Sequence, residues 1–277
     1  MKQCHRVRRA LAICAAAGVW MAVGPAAAQL SNRDAACRYK VAQATRNYSA
    51  FLVERSLLCH KQRMRGRLPA AIDCNDPTTW AANGFSRGVF LRDKDRALLA
   101  RKVTGCRPDA SLAALGYASC PAPCDGIAIN GFADLADCVL CLADDCVEPA
   151  LTSVFGTTPL PAARGAAKCV ERAGRHLEGY YNARAFLQQK CQLKKDRGYA
   201  GWATVPDCGA VDDPSHPFSA RMAAFRAKKS LVLEKRCADV DVAAETDTCG
   251  NDAASLVSCT NALAEACADQ IFPQVFP

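Results

Sequence analysis

The chain predicts an all-α fold: two tandem helical-bundle repeats, stapled by disulfides and joined by a Pro/Gly linker. Three observations predict it. Apolar side chains recur at spacings of three and four over long segments. The cysteines, 18 in 277 residues, fall at intervals that repeat between the two halves. Pro and Gly gather between the periodic segments and mark turns and linkers. Composition narrows the class further. A 51% hydrophobic content excludes a wholly disordered chain. Seventeen glycines and fourteen prolines are too few for a collagen-like one. No stretch beyond the N-terminus reaches the length of uncharged apolar sequence that a membrane span needs.

The N-terminal segment 1–28 has the order of a secretory signal peptide. Lys2, Arg6, Arg8 and Arg9 form a basic start, residues 10–24 are apolar or small, and Ala26-Ala27-Ala28 follows Pro25. Cleavage is expected after Ala28. It would leave 249 residues, remove two cysteines, and lower the formal net charge from +8 to +4. That charge is too mild for nucleic-acid binding, which needs a concentrated basic stripe. The remaining 16 cysteines are an even number in an exported chain and point to a disulfide framework. The expected location is periplasmic or extracellular, with no membrane span after cleavage.

The repeat lies in the spacings. Cys37 and Cys59 are 22 apart, as are Cys169 and Cys191. Each pair leads to an Asp-Cys step, Cys74 and Cys208, and then to Cys106 and Cys237. Cys138 and Cys146 are 8 apart, as are Cys259 and Cys267. Tyr48, Arg65 and Gly66 match Tyr180, Arg197 and Gly198 at an offset of 132. Leu135, Leu142 and Ala143 match Leu256, Leu263 and Ala264 at an offset of 121. The expected units are residues 29–160 and 161–277, with the linker at Gly156–Gly165.

In each unit the first helix carries a long apolar stripe. It is expected over Asp34–Arg65, capped by Asp34 and stopped by Gly66, with its counterpart around Cys169–Cys191. Second helices are expected over Ser86–Val103 and Ser219–Arg236. Third helices are expected over Ala133–Glu148 and Asp252–Gln270. Cysteines 22 apart on one helix are separated by about 33 Å and cannot bond to each other. If the first two helices are antiparallel, Cys37 lies near Cys106 and Cys169 near Cys237. Nine cysteines fall in the first unit and seven in the second, which includes Cys249. Cys141 is surplus, since Ala262 stands at its counterpart, and either Cys120 or Cys124 is surplus too. The economical pairing joins the two surplus residues. One cysteine per unit then pairs across units, pairs between molecules, or stays free.

Chemistry-bearing motifs are sparse. Cys138-Val-Leu-Cys141 with Cys146 suits a thiol metal site or redox pair in type. It lies inside a predicted helix, without a second matched C-x-x-C or a nearby histidine, so disulfide staples are the better reading. Leu142 stands where covalent haem attachment needs histidine. His60, His176 and His216 are scattered. Asp144-Asp145 and Asp212-Asp213 read as solvated carboxylates. Asn47-Tyr48-Ser49 fits a glycosylation acceptor but falls mid-helix. The basic clusters Lys61, Arg63, Arg65, Arg67 and Lys190, Lys194, Lys195, Arg197 read as solvated helix ends, with an anionic-ligand patch as the alternative.

The C-x21-C spacing, the basic stretch ending in Arg-Gly, the Asp-Cys step and Asp137-Cys-Val-Leu-Cys-Leu-Ala-Asp144 together resemble a family of exported bacterial proteins built from tandem cysteine-rich helical repeats. That resemblance implies architecture and export, and lends no catalytic residue, because the family has no assigned activity. The expected function is a non-catalytic binding or structural role at or outside the cell envelope, without a cofactor. Its partner would be another envelope or extracellular protein or surface. The competing expectations are thiol-based metal binding and an enzyme with a loop-built site.

Overall fold

The computed structural model describes residues 30–156, 164–205, 207–242 and 249–277. The expected signal peptide and the centre of the expected linker lie outside these residues. Within them the chain is all-helical, with six α-helices and no strand. They are α1 (Asn32–Met64), α2 (Ser86–Thr104), α3 (Phe132–Phe155), α4 (Arg164–Asp196), α5 (Ser219–Cys237) and α6 (Ala253–Val275).

Helix ends follow local chemistry, with two corrections. The N-cap of α1 is Ser31, whose hydroxyl accepts the Asp34 N–H at 3.1 Å. Asp34, expected as the cap, already sits in the first turn. Its carboxylate instead accepts the backbone N–H groups of Asp109 and Ala110, at 2.8 and 3.0 Å. That ties the start of α1 to the loop after α2. Gly66 and Gly198 stop α1 and α4 in the left-handed region, at φ +67° and +64°. The following amides, Arg67 and Tyr199, close back onto the carbonyls of Gln62 and Lys194, each at 3.0 Å. The second correction concerns α3 and α6, expected to end at Glu148 and Gln270. They run on through Pro149 and Pro273. A proline interrupts the helical ladder, but the turns beyond it bury Leu151, Val154 and Phe155 in α3 and Val275 in α6. Tertiary packing outweighs the lost bond.

The core is continuous across both halves. One cluster joins Tyr48 and Leu52 of α1, Leu135 and Leu151 of α3, Leu177 of α4, and Leu256 and Ile271 of α6. At its centre α1 and α4 run antiparallel. Arg38 meets Asp196, Gln189 donates to the Ala42 carbonyl, and Lys61 meets Glu171. Midway, the Tyr181 hydroxyl is hydrogen-bonded with Ser49. Gly174 sits where α1, α3 and α4 crowd together. A Cβ there would lie 2.6 Å from side-chain atoms of both Leu57 and Phe155.

All sixteen candidate cysteines lie in eight disulfides, with Cα separations of 4.9–6.1 Å. Cys37–Cys106 and Cys169–Cys237 tie the first helix of each half to the end of its second. Cys59–Cys74 and Cys191–Cys208 fasten the loop that follows the first helix. Cys120–Cys138 and Cys249–Cys259 fasten the third. Cys124–Cys141 joins the surplus Cys141 to the second member of the Cys120/Cys124 choice. Cys146–Cys267 crosses between α3 and α6. Ser49 and Tyr181 differ by 132 residues and Cys146 and Cys267 by 121, the two offsets of the sequence repeat. Contacts between a residue and its own counterpart are what an approximate two-fold axis between the halves requires.

Two outcomes test this packing. Gly174→Ala should lower unfolding stability by about 1–3 kcal/mol, because a new methyl overpacks a filled crossing. A urea midpoint equal to wild type would show that the crossing has slack. The double variant Cys146→Ser/Cys267→Ser should lose about 2–4 kcal/mol while keeping its helix content, since that bridge closes the longest loop of the eight. An unchanged thermal midpoint would mean that the helix contacts alone hold the halves together.

Candidate functional site

Among the described residues, charge balance separates three surface hollows of more than 500 Å³. The first, about 580 Å³, lies beside Arg184, Asp269 and Phe272. Arg184 is gripped there by both oxygens of Asp269, at 2.8 Å each, and by Asp212. Gln188 donates to Asp269 at 2.6 Å and to the Gly209 carbonyl at 3.0 Å. Arg226 pairs with Asp212 and with Glu265. The network is matched within itself and locks α4, α5 and α6 together.

The second hollow, about 520 Å³, is lined by Arg96, Asp137, Cys141, Asp144 and Asp145. Asp144 accepts the Tyr48 hydroxyl at 2.8 Å and pairs with Arg92 at 3.3 Å and Arg96 at 3.1 Å. In the other half the Tyr180 hydroxyl donates to Glu265 at 2.6 Å. Asp144 and Asp212 are therefore not the solvated carboxylates expected from sequence. Each is a hub for two arginines, which a reading of neighbours along the chain cannot see. One turn beyond Asp144, burial and then the Asp144 charge push the Glu148 carboxyl up to about 7.

The third hollow is a groove of about 680 Å³ between α4 and α5, backed by α1. Its walls are two helical stripes. Gly179, Asn182, Ala183 and Phe186 follow i, i+3, i+4, i+7 spacing on α4. Arg221, Ala224, Phe225 and Lys228 do the same on α5, with Lys229 beside them. The small residues Gly179, Ala183 and Ala224 leave the floor open, and two phenylalanines supply apolar faces. Helix α5 is held in place by the buried side chains of Met222 and Leu233 and by Cys237 in its disulfide.

Arg46 of α1 reaches into this groove. It is only 9% exposed. Its guanidinium lies 5.2 Å from the Phe186 ring centroid, and its Nη2 donates to Asn47 at 3.3 Å. Its Nε and Nη1 have no partner among the described residues. Burial lowers its pKa, yet a guanidinium keeps its charge in proteins. Lys190 and Arg221 each lie 5.9 Å from the same ring, and Lys229 lies 5.4 Å from Phe225. Among the described residues no carboxylate lines the groove. The other two hollows each hold a carboxylate bonded to arginine, whereas this one gathers cations beside apolar rings with no carboxylate in its described lining.

The residues singled out by sequence distribute differently. The cysteines hold the scaffold. Among the described residues, no group of three or more His, Cys, Asp or Glu could hold a metal. His60 donates to Asn75 at 2.8 Å and stacks on Phe155, and its burial lowers its pKa to about 3. His176 bonds Asn261, and His216 accepts the Phe218 N–H. The basic clusters are not simply solvated helix ends. Arg63 is buried and donates to the Ile72 carbonyl at 2.8 Å. Lys61 pairs with Glu171, Lys194 lies 4.0 Å from the Trp202 ring, and Lys195 donates to the Val205 carbonyl. Lys190 alone of these flanks the groove ring. Arg46, Phe186, Arg221 and Phe225 were missed as site residues. A signal was present: at the 132 offset Arg46 falls on Glu178, and Glu54 falls on Phe186. The chemistry reverses where the scaffold repeats.

No protein family, curated protein or solved structure matches this chain.

A pH comparison checks the Glu148 environment. Its folded pKa stands above the ordinary 4.5, so its stabilising contribution is full below pH 4.5 and lost as pH rises through about 7. Glu148→Gln should therefore lose less thermal stability than wild type between pH 4 and pH 8. Parallel melting curves for the two proteins would refute the shift.

Proposed function

We propose that this chain is an exported, disulfide-locked binding protein without catalytic chemistry, and that the α4–α5 groove is its anion-binding site. The leader-like segment 1–28 and eight disulfides support export, since such bridges persist in oxidising compartments. Among the described residues, no helix is long and apolar enough to cross a membrane. Disulfide-bonded cysteines offer no thiolates, which turns support away from thiol-based metal handling.

One observation carries the reading: Arg46 is a buried cation whose Nε and Nη1 have no partner among the described residues, on the wall of a groove that no carboxylate among those residues lines. Burying a charge without its counter-charge is costly. An arginine kept only for packing would be served as well by methionine. An anion entering the groove supplies the missing acceptor, and the surrounding lysines and arginines draw it in.

Amide-shift mapping with inorganic phosphate tests this. Saturable shifts should concentrate at Gly179, Asn182 and Phe186, and should vanish in Arg46→Met. The same variant should keep or gain thermal stability, because it removes an uncompensated buried charge. Arg87→Ala, an exposed cation on α2, should bind phosphate as wild type does. Shifts spread evenly over α2 and α5, or unaltered by Arg46→Met, would overturn the assignment.

A further inference from the structure

Resting on that reading, we infer that the ligand is an amphiphilic anion: one acidic head bound at Arg46, on a flat apolar body lying between Phe186 and Phe225.

The head position follows from where positive charge lacks compensation. Arg46, Lys190 and Arg221 surround one ring, with centroid distances of 5.2, 5.9 and 5.9 Å. A ring face attracts a cation, but it carries no net charge. It cannot neutralise three. At the other end of the groove, Lys229 already interacts with Glu178, whose carboxyl is raised by burial and by Glu54 and lowered by Lys229. Lys229 also folds over Gly179, where a Cβ would lie 3.2 Å from its Nζ. The deficit of negative charge is therefore at the Arg46 end, where Nε and Nη1 of the buried guanidinium have no acceptor among the described residues and an oxygen of a carboxylate or sulfonate would supply one.

The apolar body follows from size and lining. The groove holds about 680 Å³, the range of small-molecule sites and far more than an inorganic oxyanion fills. Gly179 and Phe186 are seven residues apart, so the floor runs about 10 Å along α4. It is made of Gly and Ala, flanked by two partly buried rings. A bare anion would leave water against those rings. A flat hydrocarbon displaces that water and stacks on them.

Calorimetry with three probes tests this: 2-naphthoate, its neutral counterpart 2-naphthalenemethanol, and inorganic phosphate. Naphthoate should bind at least tenfold tighter than either of the others. Arg46→Met should reduce naphthoate to the affinity of the alcohol. Phe186→Ala should weaken naphthoate at least fivefold while its far-UV circular dichroism matches wild type, which shows that the variant is folded. If phosphate maps to the groove but naphthoate binds no tighter, the amphiphile is wrong and the anion site stands. If neither anion binds, both readings fall. The neighbouring α5 surface exposes Leu231 and Val232 at 50% and 39%. If phosphatidylglycerol vesicles sediment the protein in a manner that depends on those two residues, while naphthoate does not bind, the basic face is a membrane-docking surface and the inference is overturned.

Discussion

Along α1 and α4, two helices of 33 residues lie antiparallel and bury their alanine-rich faces against each other. Every other element is placed by reference to this contact. Small side chains let the axes come close, and Gly174 marks the tightest point, against Leu57 and Phe155. Close packing of small residues yields little buried area per helix. With aromatics at only 7% of the chain, hydrophobic burial must be supplemented. The disulfides do this at the periphery: four fix a loop or an outer helix to the central pair, three fix loops to α3 or α6, and one joins α3 to α6.

The same contact explains why a groove exists where it does. Because α4 packs on α1 along one face and on α5 along another, a side chain from α1 can reach past α4 into the α4–α5 cleft. Arg46 does so. The two-fold-like arrangement supplies a comparison within one molecule. Where one side of the α1–α4 contact has Arg46 against Phe186, the other has Glu178 near Glu54. Scaffold positions such as Tyr48 and Tyr180 keep both identity and partner chemistry, each donating to a carboxylate one helix away. Arg46, which falls on Glu178 at the 132 offset, has no such duty, and it lines the groove.

Much of the fold was legible from local patterns. Three-and-four periodicity placed the six helices of the described residues, the glycine stop at Gly66 held, and counting cysteines against the repeat left one residue per half without a partner inside that half. Those residues are Cys146 and Cys267. The misses share a cause. Ser31 caps α1 because Asp34 is recruited by a loop 75 residues away. Helices α3 and α6 run through proline because their last turns are buried in a shared core. Asp144 and Asp212 look solvated along the chain and are ion-pair hubs in space.

By itself the sequence determined the helical class, the repeated cysteine spacing and the arithmetic of the bridges, because periodicity and spacing are properties of one chain read in order. Only the tertiary structure decided which cysteines meet, which carboxylates are neutralised and which cation is stranded. Those depend on distances between segments far apart in sequence. A single arginine in the middle of α1 reads as one more polar residue on a helix. It becomes a candidate site only when the fold buries it beside Phe186 and, among the described residues, brings no carboxylate to meet it.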